Sequence, residues 1–326
     1  MRQWRRYLQA GGIVALAAAA LGLPAGANDY LLHVTIISLY YALLATSWAL
    51  LAGYAGQFSF AHMAFAALGG YTSALLVLHT GVPVPIGMVA GVALAALVGG
   101  LIGWLCLRMG GPYLALFTVA FAVIFQLVLI AEYQFTRGSL GLPVENLFSG
   151  SANLPYYYFG LALVAASVAI MYAVVRSRIG LFLQAIREDE EAAEACGVNT
   201  ARYKILVFTV TSGFAGLAGA FYGHYVGILT PNLVTIPEMG LIVAMAVVGG
   251  IESLAGALIG AVAIYVASEE LREFGQLRFV LLGVIIMLTQ RFMQNGLIGP
   301  LVDRVARMGR RRVADLAKGG EAMTNG

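Results

Sequence analysis

From Tyr30 to Leu107 the chain carries no Asp, Glu, Lys or Arg, a stretch several times the ~20 apolar residues that one bilayer crossing needs. Charges and turn residues divide the apolar sequence into ten segments: Tyr7–Leu23, Tyr30–Ala52, Met63–Leu78, Ile86–Leu107, Pro112–Ala131, Tyr156–Val175, Tyr203–Ile228, Met239–Val248, Ala255–Ala267 and Phe279–Gln290. The last three are short and interrupted by glycine, as expected where irregular backbone is shielded by protein or lines a cavity. The pattern predicts an all-α polytopic membrane protein with about ten transmembrane segments, some short or broken.

Composition agrees: of 326 residues 60% are hydrophobic and 11% charged, under half the ~25% charged residues of soluble domains. The 40 glycines suit helices packed backbone to backbone. Two separated cysteines and four scattered histidines offer neither a disulfide framework nor a metal site, and no cofactor is expected.

Charge then orients the spans. With the N terminus inside, sixteen of the 19 Lys and Arg residues fall on the inner side, and only Arg137, Arg272 and Arg278 outside. Both termini are therefore expected in the cytoplasm. Arg2, Arg5 and Arg6, an apolar run and Ala25-Gly26-Ala27 also fit a cleavable signal peptide, which would change the N-terminal side but no later orientation. Residues 1–308 form the membrane domain and 309–326 a basic, disordered cytoplasmic tail, whose Arg310, Arg311 and Arg312 suit anionic lipid. A nucleic-acid partner has no basic soluble surface to rest on.

The one long inner loop, 176–204, has helical character from Leu181 to Ala195, and Gly197 stands where a positive φ ends a helix cheaply. Such a helix between two spans is a lever for a soluble partner or a solvated connector. Its Glu191-Ala192-Ala193, three residues, then Gly197 resembles the E-A-A-x-x-x-G core of the coupling loop in ABC importer permeases; the I-x-L-P end is absent, with Val207 at the isoleucine position.

Further matches resemble the permeases of branched-chain amino-acid ABC transporters, the LivM-type subunit: Gly53-Tyr54-Ala55-Gly56-Gln57-Phe58-Ser59-Phe60-Ala61-His62, then Gly69-Gly70-Tyr71-Thr72-Ser73-Ala74-Leu75, Gly111-Pro112-Tyr113-Leu114-Ala115-Leu116 and Thr136-Arg137-Gly138-Ser139-Leu140-Gly141-Leu142. Order and spacing hold from about Gly53 to Gly260. The family's G-G-x-G-[ST]-x-x-G-P becomes Gly249-Gly250-Ile251-Glu252-Ser253-Leu254-Ala255-Gly256-Ala257, with Glu252 replacing a glycine and Ala257 a proline.

The resemblance implies a bacterial inner-membrane importer subunit working with ABC ATPase subunits, a second permease subunit and an extracytoplasmic solute-binding protein. Branched-chain or related amino acids are the implied solutes, with urea or another small solute as the alternative. Arg187, Glu188, Glu191, Ala192, Ala193 and Gly197 are the expected ATPase-coupling residues. Gly56, Gln57, Ser59, His62, Gly70, Tyr71 and Tyr113 are candidates for the translocation path; glycine breaks expose peptide groups there and polar side chains serve them or a solute. Gly249, Gly250 and Glu252 are candidates for the cytoplasmic mouth, Glu252 having no cation nearby in sequence. The stretches 56–71 and 250–265 share Gly, Ser and Ala at matching offsets, a hint of duplication. The outer loop from Glu132 to Pro155 is long enough to receive a binding protein or to act as a plain connector, and Tyr156, Tyr157 and Tyr158 suit an aromatic belt.

No Walker A pattern is present, so ATP hydrolysis belongs to a separate chain. An ion-coupled secondary transporter is the other class, but it usually needs intramembrane carboxylates, and this pattern offers almost none away from the inner face. No H-E-x-x-H or G-x-S-x-G supports an intramembrane enzyme.

Overall fold

The computed structural model describes residues 21, 22, 24, 26, 28–106, 109, 111–148, 150, 152–275 and 277–292. The segment Tyr7–Leu23 and the tail 309–326 lie outside the described residues, apart from 21 and 22. The helices are α1 (Asp29–Ala49, continued by a π-turn Leu50–Tyr54), α2 (His62–Thr80), α3 (Val84–Leu105), α4 (Pro112–Ala131), α5 (Asn153–Arg176), α6 (Arg178–Glu188), α7 (Glu190–Ala195), α8 (Thr200–Val226), α9 (Ile236–Gly249), α10 (Leu254–Glu270) and α11 (Leu277–Phe292). Proline stands at the first or second position of α3, α4 and α9, where its missing N–H has no helical partner to lose.

Seven described helices are long and apolar enough to cross a membrane: 29–54, α2, α3, α4, α5, α8 and 254–274. Of the ten expected segments, seven are long enough among the described residues; α9 has 14 residues and α11 has 16, and Tyr7–Leu23 lies almost wholly outside the described residues. At about 1.5 Å per residue, α9 reaches only ~21 Å, short of a ~30 Å hydrocarbon core.

The centre of the bundle is α1, the most buried of the spans, with α8 beside it, packed by α2, α3, α5 and α10. Small residues make this possible. A Cβ on Gly69 of α2 would fall 2.3 Å from the carbonyl oxygen of Gly216 in α8, and one on Gly219 would fall 1.8 Å from that of Ala66. The backbones touch directly, which maximises dispersion contacts where no hydrophobic difference from lipid drives association.

At the end of the bundle remote from α6, the loop 132–155 is pinned rather than loose. Leu142 and Pro143 pair antiparallel with Leu229 and Ile228. His224, wholly buried in α8, stands 2.6 Å from the Glu145 carbonyl oxygen and 2.7 Å from the Ser73 hydroxyl. Tyr156 donates to the His224 carbonyl oxygen at 3.2 Å, and its ring contacts that of Phe148 at 5.0 Å.

Candidate functional site

The loop between α5 and α8 folds into two helices, α6 and α7, rather than one over Leu181–Ala195. Asp189 is the reason: its extended backbone breaks the run and its carboxylate accepts the Ala192 N–H at 3.0 Å, capping α7. Ser177 caps α6 through the Ile179 N–H, and Asn199 caps α8 through that of Arg202. Gly197 (φ +84°) closes α7 as expected. Its N–H reaches the Glu194 carbonyl and the Val198 N–H that of Ala193, a Schellman closure. Every end of the loop is therefore capped, which makes it stiff.

The loop is also anchored. Gly180 abuts α5 so tightly that a Cβ would lie 2.0 Å from the Val175 carbonyl oxygen. Leu183 and Ile186 are buried, and Phe182 packs on Tyr203 at 5.0 Å. Lys204 of α8, itself buried, pairs with Glu190, and Thr200 donates to Glu194. Glu188 and Glu191 are exposed while Ala193 is buried, so the acidic face of α6–α7 turns outward.

Arg187 is the tie between loop and bundle. Its guanidinium donates both to the carbonyl oxygen of Gly53, in the π-turn ending α1, and to the Glu252 carboxylate, in the break between α9 and α10. Glu252, without a cation nearby in sequence, thus finds one 65 residues away. The two breaks also touch each other: a Cβ on Gly53 would fall 1.9 Å from the Ile251 carbonyl oxygen. They share two local features. Gly56 (φ +68°) and Gly250 (φ +113°) turn the chain, and three residues later Ser59 and Ser253 accept backbone N–H bonds from Ala61 and Gly256. Gly249 packs on the Gly256 carbonyl oxygen, closing α9 against α10.

Of the candidate path residues, the structure gathers Gly56 and Gln57 beside Arg187. They line a cavity of about 250 Å³ with Cys106, Glu188, Asp189, Glu190 and Lys204. The buried Gln57 Oε1 has no hydrogen-bond partner there. Ser59 and His62 are fully buried in the adjoining wall: the Ser59 carbonyl oxygen accepts from Trp48 Nε1 at 2.7 Å, and Phe60 N–H reaches the Thr118 hydroxyl at 2.9 Å. Gly70 and Tyr71 stand apart, farther along α2, where Gly70 packs on Gly219 and the Tyr71 hydroxyl donates to the Leu229 carbonyl oxygen at 3.2 Å. Tyr113 is 72% exposed at the start of α4 and joins none of these groups. Among the described residues, no three His, Cys, Asp or Glu side chains gather as metal ligands would.

One residue escaped the sequence reading. Glu238 stands just before the expected eighth segment, yet α9 begins at Ile236, so the carboxylate enters the bundle in a helical first turn and accepts from the Tyr41 hydroxyl at 2.8 Å. The sequence signal was the short, Pro-started segment itself.

A bundle of membrane helices with glycine-lined breaks, tied to a capped helical loop that presents an acidic face, has the architecture of a membrane transport subunit. The sequence matches the family described as branched-chain amino acid transport system, permease component, over residues 30–289, and the chain belongs to that family. It is a transport component, not an enzyme. It is 27% identical over 314 residues to the high-affinity branched-chain amino acid transport system permease protein LivM of Escherichia coli (strain K12), covering 88% of this chain and 74% of that one. It is 26% identical to LivH of the same strain, over 81% and 93% of the two chains. The fructose import permease protein FrcC of Rhizobium meliloti is 25% identical, over 64% and 62%. No solved structure matches the chain.

Proposed function

We propose that this chain is one of two permease subunits of an ATP-driven importer in a bacterial inner membrane, carrying branched-chain amino acids handed over by a solute-binding protein. The observation that carries the coupling is the Arg187 bond to both Gly53 and Glu252. Closure of a soluble ATPase pair on the exposed face of α6–α7 pulls a stiff lever, and Arg187 passes that movement to the two breaks, where α1 and α9–α10 change direction. Gln57 and the cavity beside it form the inner mouth of the path. The charge asymmetry of the loops supports an inward-facing lever and cytoplasmic termini, and the pinned 132–155 loop is the docking surface for the binding protein. The LivM and LivH relatives support the amino-acid substrate, since both are named for branched-chain amino acid transport.

The test is co-purification of the tagged chain in mild detergent from its native membrane, wild type against a Glu191→Lys and Gly197→Pro double variant. The wild type is expected to bring down a soluble ATPase and a second permease, and the variant to lose the ATPase. A wild type that comes down alone, and drives uptake on an ion gradient in proteoliposomes, would overturn the reading.

A further inference from the structure

We propose that Glu238, with the rings of Tyr41 and Tyr265, forms the site inside the bundle that receives the ammonium group of the transported amino acid. The inference rests on the amino-acid reading above and adds to it a specificity residue on the path.

Tyr41 stands midway along the 26-residue span 29–54, so the carboxylate that accepts its hydroxyl is far from either end of that span. Glu238 reaches this depth because α9 is only 14 residues long and starts inside the bundle rather than at its rim. An ionisable group at such depth is costly and is normally matched by a cation. None of the ion pairs among the described residues includes Glu238. Two features of the protein suit a negative charge there without one: the hydroxyl that Tyr41 donates, and the position of Glu238 in the first turn of α9, at the positive end of the helix dipole. Glu238 Oε2 takes the Tyr41 bond, and the residue is only partly buried, so it keeps acceptor capacity for an incoming donor.

The surroundings select what that donor is. The Tyr41 ring stacks on Tyr265 at 5.1 Å and meets Tyr40 edge-on at 4.9 Å, and Tyr40 in turn lies 4.6 Å from Tyr222. A carboxylate held by a tyrosine hydroxyl in a tyrosine-rich part of the bundle suits an organic ammonium, which donates a hydrogen bond to the carboxylate and is attracted by neighbouring rings. A small hydrated metal cation would instead call for several oxygen ligands, and among the described residues no three His, Cys, Asp or Glu side chains gather as such ligands would. The same column of tyrosines continues one helical turn along α10 to Glu269, whose carboxylate accepts from Tyr30 at 3.3 Å and pairs with Arg272 at 2.8 Å. That upper carboxylate is already matched by a cation; the lower one is left for the solute.

The experiment uses the complete transporter in proteoliposomes, with ATPase, second permease and binding protein, comparing wild type with Glu238→Gln, Glu238→Asp and Tyr41→Phe. Leucine uptake and ATP hydrolysis stimulated by the binding protein are both measured. For Glu238→Gln, leucine uptake is expected to fall about 10-fold or more, as for loss of a charge-assisted contact, while the stimulated ATP hydrolysis and subunit assembly stay at wild-type levels. Glu238→Asp, which keeps the charge, recovers part of the uptake, and Tyr41→Phe, which keeps the ring, loses less than Glu238→Gln. Wild-type uptake in Glu238→Gln overturns the site, and so does a parallel loss of uptake, ATP hydrolysis and assembly that Glu238→Asp fully repairs, because that marks a carboxylate pairing with another subunit. A wild-type complex that moves no leucine on ATP refutes the amino-acid reading itself, a result distinguishable from either.

Discussion

Replacing Arg187 by alanine removes the side chain that binds the loop to both breaks, and the structure sets how much is lost. The bond to the Gly53 carbonyl lies against buried backbone, and a hydrogen bond from a charged donor contributes about 1.5–3 kcal/mol. The Glu252 carboxylate is 68% exposed, so water screens that pair to about 0.2–1 kcal/mol. Arg187→Ala therefore removes about 2–4 kcal/mol of coupling between lever and bundle, a factor of about 30 to 700 in the equilibrium linking their movements. Glu252→Gln removes only the screened pair, about 5-fold at most. Arg187→Lys falls between, since an ammonium lacks the fork that reaches two acceptors at once. The assay is solute accumulated per ATP hydrolysed in proteoliposomes holding the full complex. In Arg187→Ala, hydrolysis is expected to continue while the ratio drops by about 10-fold or more, and the double variant with Glu252→Gln should be little worse than Arg187→Ala alone. A Glu252→Gln variant as uncoupled as Arg187→Ala would refute the division between the two contacts, and a wild-type ratio in Arg187→Ala would refute the lever.

Two further outcomes follow from packing and exposure. Gly53→Ala sets a methyl 1.9 Å from the Ile251 carbonyl oxygen, so the protein should lose about 1–3 kcal/mol or more of stability; its detergent unfolding midpoint should fall, while Gly240→Ala, inside helix α9 with nothing within 4 Å of the added Cβ, should not lower it. Cys196 is exposed at the end of α7 and Cys106 is buried, so a membrane-impermeant maleimide should label inverted vesicles and not intact cells, and Cys196→Ser should abolish the labelling; labelling of intact cells would reverse the proposed orientation.

The loop shows where pattern suffices and where it stops. Gly197, Asp189 and Asn199 act through bonds to their own neighbours a few residues away, so their effect is written locally. The E-A-A-x-x-x-G spacing was legible for that reason, although the break at Asp189 was not separated from the helix around it. The path candidates were harder. Gly56, Gln57, Ser59, His62, Gly70 and Tyr71 follow one another closely in sequence, but a helix that starts at His62 carries Gly70 and Tyr71 a further two turns along the bundle. Tyr113 shares a family motif with buried Leu114 yet stands on an outer surface, because it points away from the bundle in the first turn of α4.

By itself the sequence determined that the chain is helical and membrane-embedded, since long apolar runs without the alternation of a barrel strand satisfy their peptide groups within a bilayer as helices. It also placed most helix boundaries within a few residues, because Pro, Gly and capping side chains act on the backbone beside them. Only the tertiary structure decided which distant groups meet. Arg187 with Gly53 and Glu252, Glu238 with Tyr41, and Gly219 with Ala66 are all contacts between separate helices. Hydropathy carries no record of such pairings. They depend on how closely two backbones approach and at what rotation, and in this bundle small residues set the approach while the two breaks set the direction in which each side chain points.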